Sequence, residues 1–171
     1  MSKKAKEAAR KILDRFGSKI PIDIDEIIKA HGIKVFEDEE MATSISGILM
    51  IKGESVGAMV NLFHPEVRKR FTLAHELGHY LMHGRKSSLF VDEFAVLYRG
   101  LRPEEGVDPR EVEANIFAAE LLMPEEAIKS DIEADPSRAK SDAAIRKLAA
   151  RYGVSAMAMK YRLRGLKLIA E

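Results

Sequence analysis

Apolar residues recur along this chain at helical and at strand spacing, and the alternation predicts most of its elements. Residues 3–16 carry one helical stripe of Ala5, Ala8, Ala9, Ile12, Leu13 and Phe16, stopped by Gly17. After Pro21, Asp23 is placed to cap a short helix through Ile24, Ile27 and Ile28 that closes at Gly32. Residues 33–36 predict a strand, and the acidic run 37–40 a solvated loop. Two further strands are expected at 45–51 and 56–60, joined by a turn over 52–55.

The next helix begins after Pro65, and its stretch RFTLAHELGHYLMHG (70–84) is apolar on nearly every side. Phe71, Leu73, Ala74, Leu77, Tyr80, Leu81 and Met82 predict that it is buried. Beyond Gly84 the pattern loosens. A short helix is expected at 92–98, then a polar surface connection over 102–109. Asp108 as N-cap and Pro109 at the first helical position open a helix that runs to Leu122 and stops before Pro124. Residues 145–163 read as two helices around Gly153-Val154-Ser155, with Leu148, Ala149, Met159 and Leu163 inward and Ser155 as N-cap.

At 171 residues the chain is long enough for one ordinary core. It has no cysteine, so a metal site here must use histidine and carboxylate. The N-terminus is charged and lacks the apolar core of a signal peptide, and no run is long enough to span a bilayer. The expectation is a cytoplasmic protein without membrane contact. A net charge of +1 hides an asymmetry: thirteen acidic against four basic residues over 92–135, and nine basic against one acidic over 138–167. The C-terminal part therefore either meets an anionic partner or packs on the acidic part.

The candidate chemistry lies in the buried helix, where His75-Glu76-Leu77-Gly78-His79 forms an H-E-x-x-H pattern. Residues four apart share a helix face, so His75 and His79 can offer ring nitrogens to one ion, while Glu76 can reach a water beside it. Burying two histidines and a glutamate without partners would cost roughly 1–3 kcal/mol each. A metal supplies a partner for all three. The rival is a core helix whose histidines bond backbone carbonyls.

A zinc peptidase site needs a third protein ligand and an open fourth position. Glu111 and Glu113 are the acidic candidates. Glu111 shares its face with Ala114, Asn115, Ala118 and Leu122, and Glu113 with Phe117 and Glu120. The small, then apolar, face favours Glu111, with Asn115 as a supporting partner. His83 is too remote, because eight residues of helix rise about 12 Å. A third histidine six residues after His79 is missing, since that position is Arg85. Tyr80, Tyr98 and His83 are the side chains considered as helpers at the oxyanion.

In the C-terminal helix pair, Lys160, Arg162 and Arg164 could meet phosphates. Packing on the peptidase core is the preferred reading over DNA binding.

RFTLAHELGHYLMHG, EVEANIFAAELLMP and GVSAMAMKYRLRGLKLI together resemble the ImmA/IrrE-type metallopeptidases of bacteria and their mobile elements. The resemblance extends over about residues 21–169. It implies that His75, His79 and Glu111 bind the metal and that Glu76 is the catalytic glutamate. It further implies cleavage of a helix-turn-helix repressor, derepressing a mobile element or stress regulon.

The expected fold is α+β: a mainly helical zincin-like peptidase with a small antiparallel sheet (1–136) and a helix-turn-helix-like segment packed on it (137–171). The expected activity is that of a zinc-type endopeptidase, with manganese as the other candidate ion and a protein substrate. Two rivals are a DNA-binding regulator acting without proteolysis and a module that sequesters a repressor without cutting it.

Overall fold

A computed structural model describes residues 2–84, 88–93 and 108–170. Its elements are α1 (Lys3–Phe16), α2 (Ile24–Ala30), β1 (Ile33–Asp38), β2 (Ile45–Lys52), β3 (Ser55–Asn61), α3 (Glu66–His83), β4 (Leu89–Glu93), α4 (Pro109–Leu122), α5 (Glu125–Ala134), α6 (Asp142–Tyr152) and α7 (Ala156–Gly165). A 3-10 turn, Pro136–Ala139, joins α5 to α6. The architecture is α+β.

Local chemistry starts and stops these elements as the sequence implies. Asp23 accepts from the Glu26 amide at 2.9 Å and Asp108 from the Arg110 amide at 2.8 Å. Gly17 and Gly153 end α1 and α6 at positive φ, where glycine carries no Cβ penalty.

The sheet has the order β1-β3-β2-β4. The β2–β3 hairpin turns at Gly53, with φ of +60°. β4 adds antiparallel to β2, whereas β1 lies parallel to β3, so the sheet is mixed and not purely antiparallel. Ala58, Leu49 and Phe90 lie side by side in the register and are buried. This alternation gives the sheet an inner face.

Two sequence expectations need correcting here. Asp92 and Glu93 belong to strand β4, not to a helix over 92–98, whose remainder lies outside the described residues, as does 102–107 of the expected connection. A five-residue strand is too short for its alternation to stand out, and pairing with β2 decides its conformation. Glu37 and Asp38 likewise extend β1, because β3 offers partners as far as Asn61.

Helix α4 crosses α3 closely. A Cβ on Gly78 would lie 3.0 Å from Phe117 Cδ1 and 3.3 Å from Ala114 Cα, so this glycine lets the two backbones approach. The C-terminal segment is tied down by its cations. Arg162 is buried, donating to the Met123 carbonyl at 3.0 Å and to Glu120 Oε2 at 2.5 Å. Asp131 on α5 accepts from Arg138 (2.6 Å), Arg151 (3.1 Å) and the Tyr152 hydroxyl (2.8 Å). Arg162 is therefore not placed to meet phosphates, and Lys160 is ion-paired with Asp142 at 3.0 Å. Three basic residues of the C-terminal part thus pack on carboxylates of α4 and α5.

Candidate metal centre

The site is built where α3 and α4 cross. One turn of helix separates His75 from His79, and their Nε2 atoms face each other at 2.9 Å. From α4, Glu111 Oε2 lies 3.2 Å from His75 Nε2, and its Oε1 lies 3.2 Å from His79 Nε2. Ligand atoms of these three residues all fall within 4.8 Å of one another. The edge of a tetrahedron with bonds of about 2.0–2.1 Å is about 3.3–3.4 Å, close to the separations seen here. Two imidazoles and a carboxylate, with no thiolate, make a donor set that fits a borderline divalent ion.

The surroundings hold these donors. His75 and His79 are fully buried, whereas the Glu111 side chain is 18% exposed, leaving the site open on that side. His75 Nδ1 lies 2.9 Å from Asn115 Oδ1, an arrangement in which Nδ1–H donates to the amide oxygen and Nε2 is left to face a metal. Asn115 sits one turn after Glu111, so one face of α4 supplies both a ligand candidate and its neighbour's support.

Glu76, also fully buried, is fitted against β2: a Cβ on Gly47 would lie 2.5 Å from Glu76 Oε1 and would overlap Thr72 Cγ2. The sheet register shifts between Ile45 and Gly47, beside this contact.

Two more residues at the site carried little sequence signal. Phe90 on β4 stacks on His79 with ring centroids 4.4 Å apart and planes 27° apart, and the Arg110 guanidinium lies 5.7 Å from the Phe90 centroid. Asp108 fixes Arg110 by contacts of 2.6 to 3.2 Å, and that guanidinium holds the Asp108 carboxyl below the usual range. An isolated glycine in a strand signals a bulge or a close approach, so Gly47 was findable; Phe90, in a short apolar run, was not.

The other candidates fall elsewhere. Glu113 accepts from the Ser2 hydroxyl at 2.9 Å and lies 3.7 Å from His83 Nε2. His83 is buried, and burial beside His79 holds its imidazole below the usual histidine range. Tyr98 lies outside the described residues.

A helix-borne His-x-x-x-His pair, met by a carboxylate from a second helix against a small mixed sheet, makes a cluster that could hold a metal ion. The Peptidase M78 family model, described as an IrrE N-terminal-like domain, matches residues 28–164, and the chain belongs to this metallopeptidase family. It is 27% identical over 120 residues to "Uncharacterized immunity region protein 2" of Bacillus phage phi105, an alignment covering 70% of this chain and 68% of that protein. Its fold is similar to a solved "Mycobacterium tuberculosis transcriptional regulator", with a TM-score of 0.62 and 16% identity. That match takes in 95% of this chain but 47% of the other, so the chain spans about half the length of that protein. No helix among the described residues is long and apolar enough to cross a membrane.

Proposed function

We propose that the protein is a zincin-type endopeptidase in which His75, His79 and Glu111 hold one divalent ion and Glu76 is the general base. The observation that carries this reading is the convergence of both Nε2 atoms and both Glu111 oxygens, at 2.9 to 3.2 Å, at the α3–α4 crossing. Zinc is the preferred ion for this donor set, with manganese as the alternative.

A bound ion would supply Lewis acidity, making water a better nucleophile and polarising the scissile carbonyl. The protein's share is positioning and proton transfer. Asn115 holds His75 in the tautomer that leaves Nε2 as a donor atom, and Phe90 braces the His79 ring. Glu76 takes the proton of the attacking water at its carboxylate and passes it to the leaving amine.

The substrate proposed is a helix-turn-helix repressor, cleaved to relieve repression of a mobile element or stress regulon. Family membership and the similarity to a phage immunity-region protein support it. Such a substrate is cytoplasmic, and on this reading so is the peptidase. We take residues 1–136 as the peptidase domain and 137–171 as a segment packed on it, consistent with the burial of Arg162 against Glu120.

The test compares new protein N-termini in cells carrying wild type or Glu76→Gln. A repressor fragment present with wild type and absent with the variant is expected. Fragments produced equally by both would remove Glu76 from its role.

A further inference from the structure

The sheet has a second face that nothing among the described residues covers. The register sets Phe36, Met59, Ile48 and Val91 in one row across all four strands, and Lys34, Gly57, Met50 and Leu89 in the next. These positions alternate with buried Ala58, Leu49 and Phe90, so they share the outer face. Phe36 (51%), Met50 (42%), Leu89 (53%) and Val91 (49%) are all substantially exposed. An apolar surface spanning a whole sheet is unusual on a chain that stays alone in water.

Its charges are polarised along the strands. Past the Phe36 row lie Asp38, Glu39 and Glu40; Met59 and Leu62 line one cleft together with this acidic run. At the opposite end stand exposed Lys34 and Lys52, with Glu54 in the adjoining turn. Among the described residues, Glu39, Glu40, Lys34 and Lys52 make no ion pair.

We propose that this face is the interface of a homodimer, two sheets packed face to face about a two-fold axis lying across the strands. That axis lays the Lys34 row of one copy on the Phe36 row of the other and turns the acidic end of each towards the lysine end of its partner. An axis along the strands would instead oppose like charges. A uniformly basic partner would be repelled at the lysine end, which is why a second copy is the better complement.

With strands about 4.8 Å apart and same-face residues about 6.8 Å apart, the eight positions of these two rows offer on the order of 260 Å² per protomer. A stable interface needs about 800 Å² per partner, so the dimer is weak and concentration-dependent. It would form on the back of β4, whose Phe90 packs on His79 from the other side. The proposal does not depend on the peptidase reading.

Sedimentation equilibrium of the full chain over a wide concentration range tests it, with circular dichroism to verify that each variant folds. The expected result is a monomer–dimer equilibrium in wild type. Phe36→Ser/Leu89→Ser, Lys34→Glu/Lys52→Glu and Glu39→Lys/Glu40→Lys should each weaken it at least ~10-fold, about 1.4 kcal/mol. An equal mixture of the two charge-reversed variants should dimerise more tightly than either alone, because each then carries the charge the other lacks. A wild type that stays monomeric throughout would overturn the proposal. So would a dimer that survives both charge reversals, or a mixture no tighter than its components. The charge variants are at exposed positions and decide the matter even if the apolar variant fails to fold.

Discussion

Gly47 and Glu76 touch so closely that β2 and α3 leave no room for a methyl group between them. A Cβ at Gly47 would lie 2.5 Å from Glu76 Oε1. Gly47→Ala must therefore push the Glu76 carboxylate aside or shift β2, at a cost of about 1–3 kcal/mol in stability. Peptidase activity is expected to fall by about 100-fold or more, since small misplacement of a catalytic group is expensive. Metal content should stay unchanged. An alanine variant with wild-type turnover would show that Glu76 has room to move.

The bond between His75 Nδ1 and Asn115 Oδ1 fixes a tautomer. Asn115→Ala should weaken metal binding about 10- to 100-fold, as removal of such supporting partners does elsewhere. Competition with a chelating dye measures this. Asn115→Asp, which keeps an acceptor oxygen, should bind more tightly than Asn115→Ala.

Metal stoichiometry separates the two glutamates of α4. About one ion per chain is expected for wild type and Glu113→Gln, and loss of the ion for His79→Ala and Glu111→Gln. Saturating zinc should raise the stability of wild type, by about 2.7 kcal/mol at 100 times its Kd, and leave Glu111→Gln nearly unmoved. Thermal melts with and without chelator read both effects. Loss of metal in Glu113→Gln would move the third ligand.

Arg162 and Glu120 form a buried ion pair, 6% and 2% exposed, that fastens α7 to α4. Arg162→Met leaves the buried Glu120 carboxylate with only the half-exposed Arg10, at 3.4 Å, and should cost up to about 3 kcal/mol. Arg162→Met combined with Glu120→Met should recover much of that loss. Urea denaturation of Arg162→Met, Glu120→Met and the double variant gives the coupling.

Acid sensitivity has a named contributor. Hydrogen bonds from Lys129 and Lys6 hold the Glu125 carboxyl down to about 2. A depressed carboxylate adds stability that is whole above its ordinary pKa near 4.5 and is lost as pH falls from there towards 2. Glu125→Gln should therefore be less stable than wild type at neutral pH and approach it near pH 2. Parallel stability curves across that range would rule Glu125 out as a contributor.

The sequence by itself determined most of the helices and the faces they bury, because capping residues and apolar spacing act over a few neighbouring residues. It carried no reading of α5, and the helix it implied at 92–98 begins as strand β4. It placed Asp108 and Pro109 at the start of α4, Gly153 and Ser155 in the last turn, and the two histidines on one face of α3. The same helical periodicity singled out Glu111, whose oxygens the fold then carries to 3.2 Å from both histidines. Only tertiary structure decided the rest. β4 becomes a strand by pairing with β2, and β1 pairs parallel to β3 on the other side of the β2–β3 hairpin. Phe90 reaches His79, Gly47 yields to Glu76, and Arg162 turns inward to Glu120 through contacts between residues some thirty to forty positions apart, or, for Phe90, across a strand too short to read. Local spacing carries no record of such encounters; burial and hydrogen-bond satisfaction in the assembled core select them.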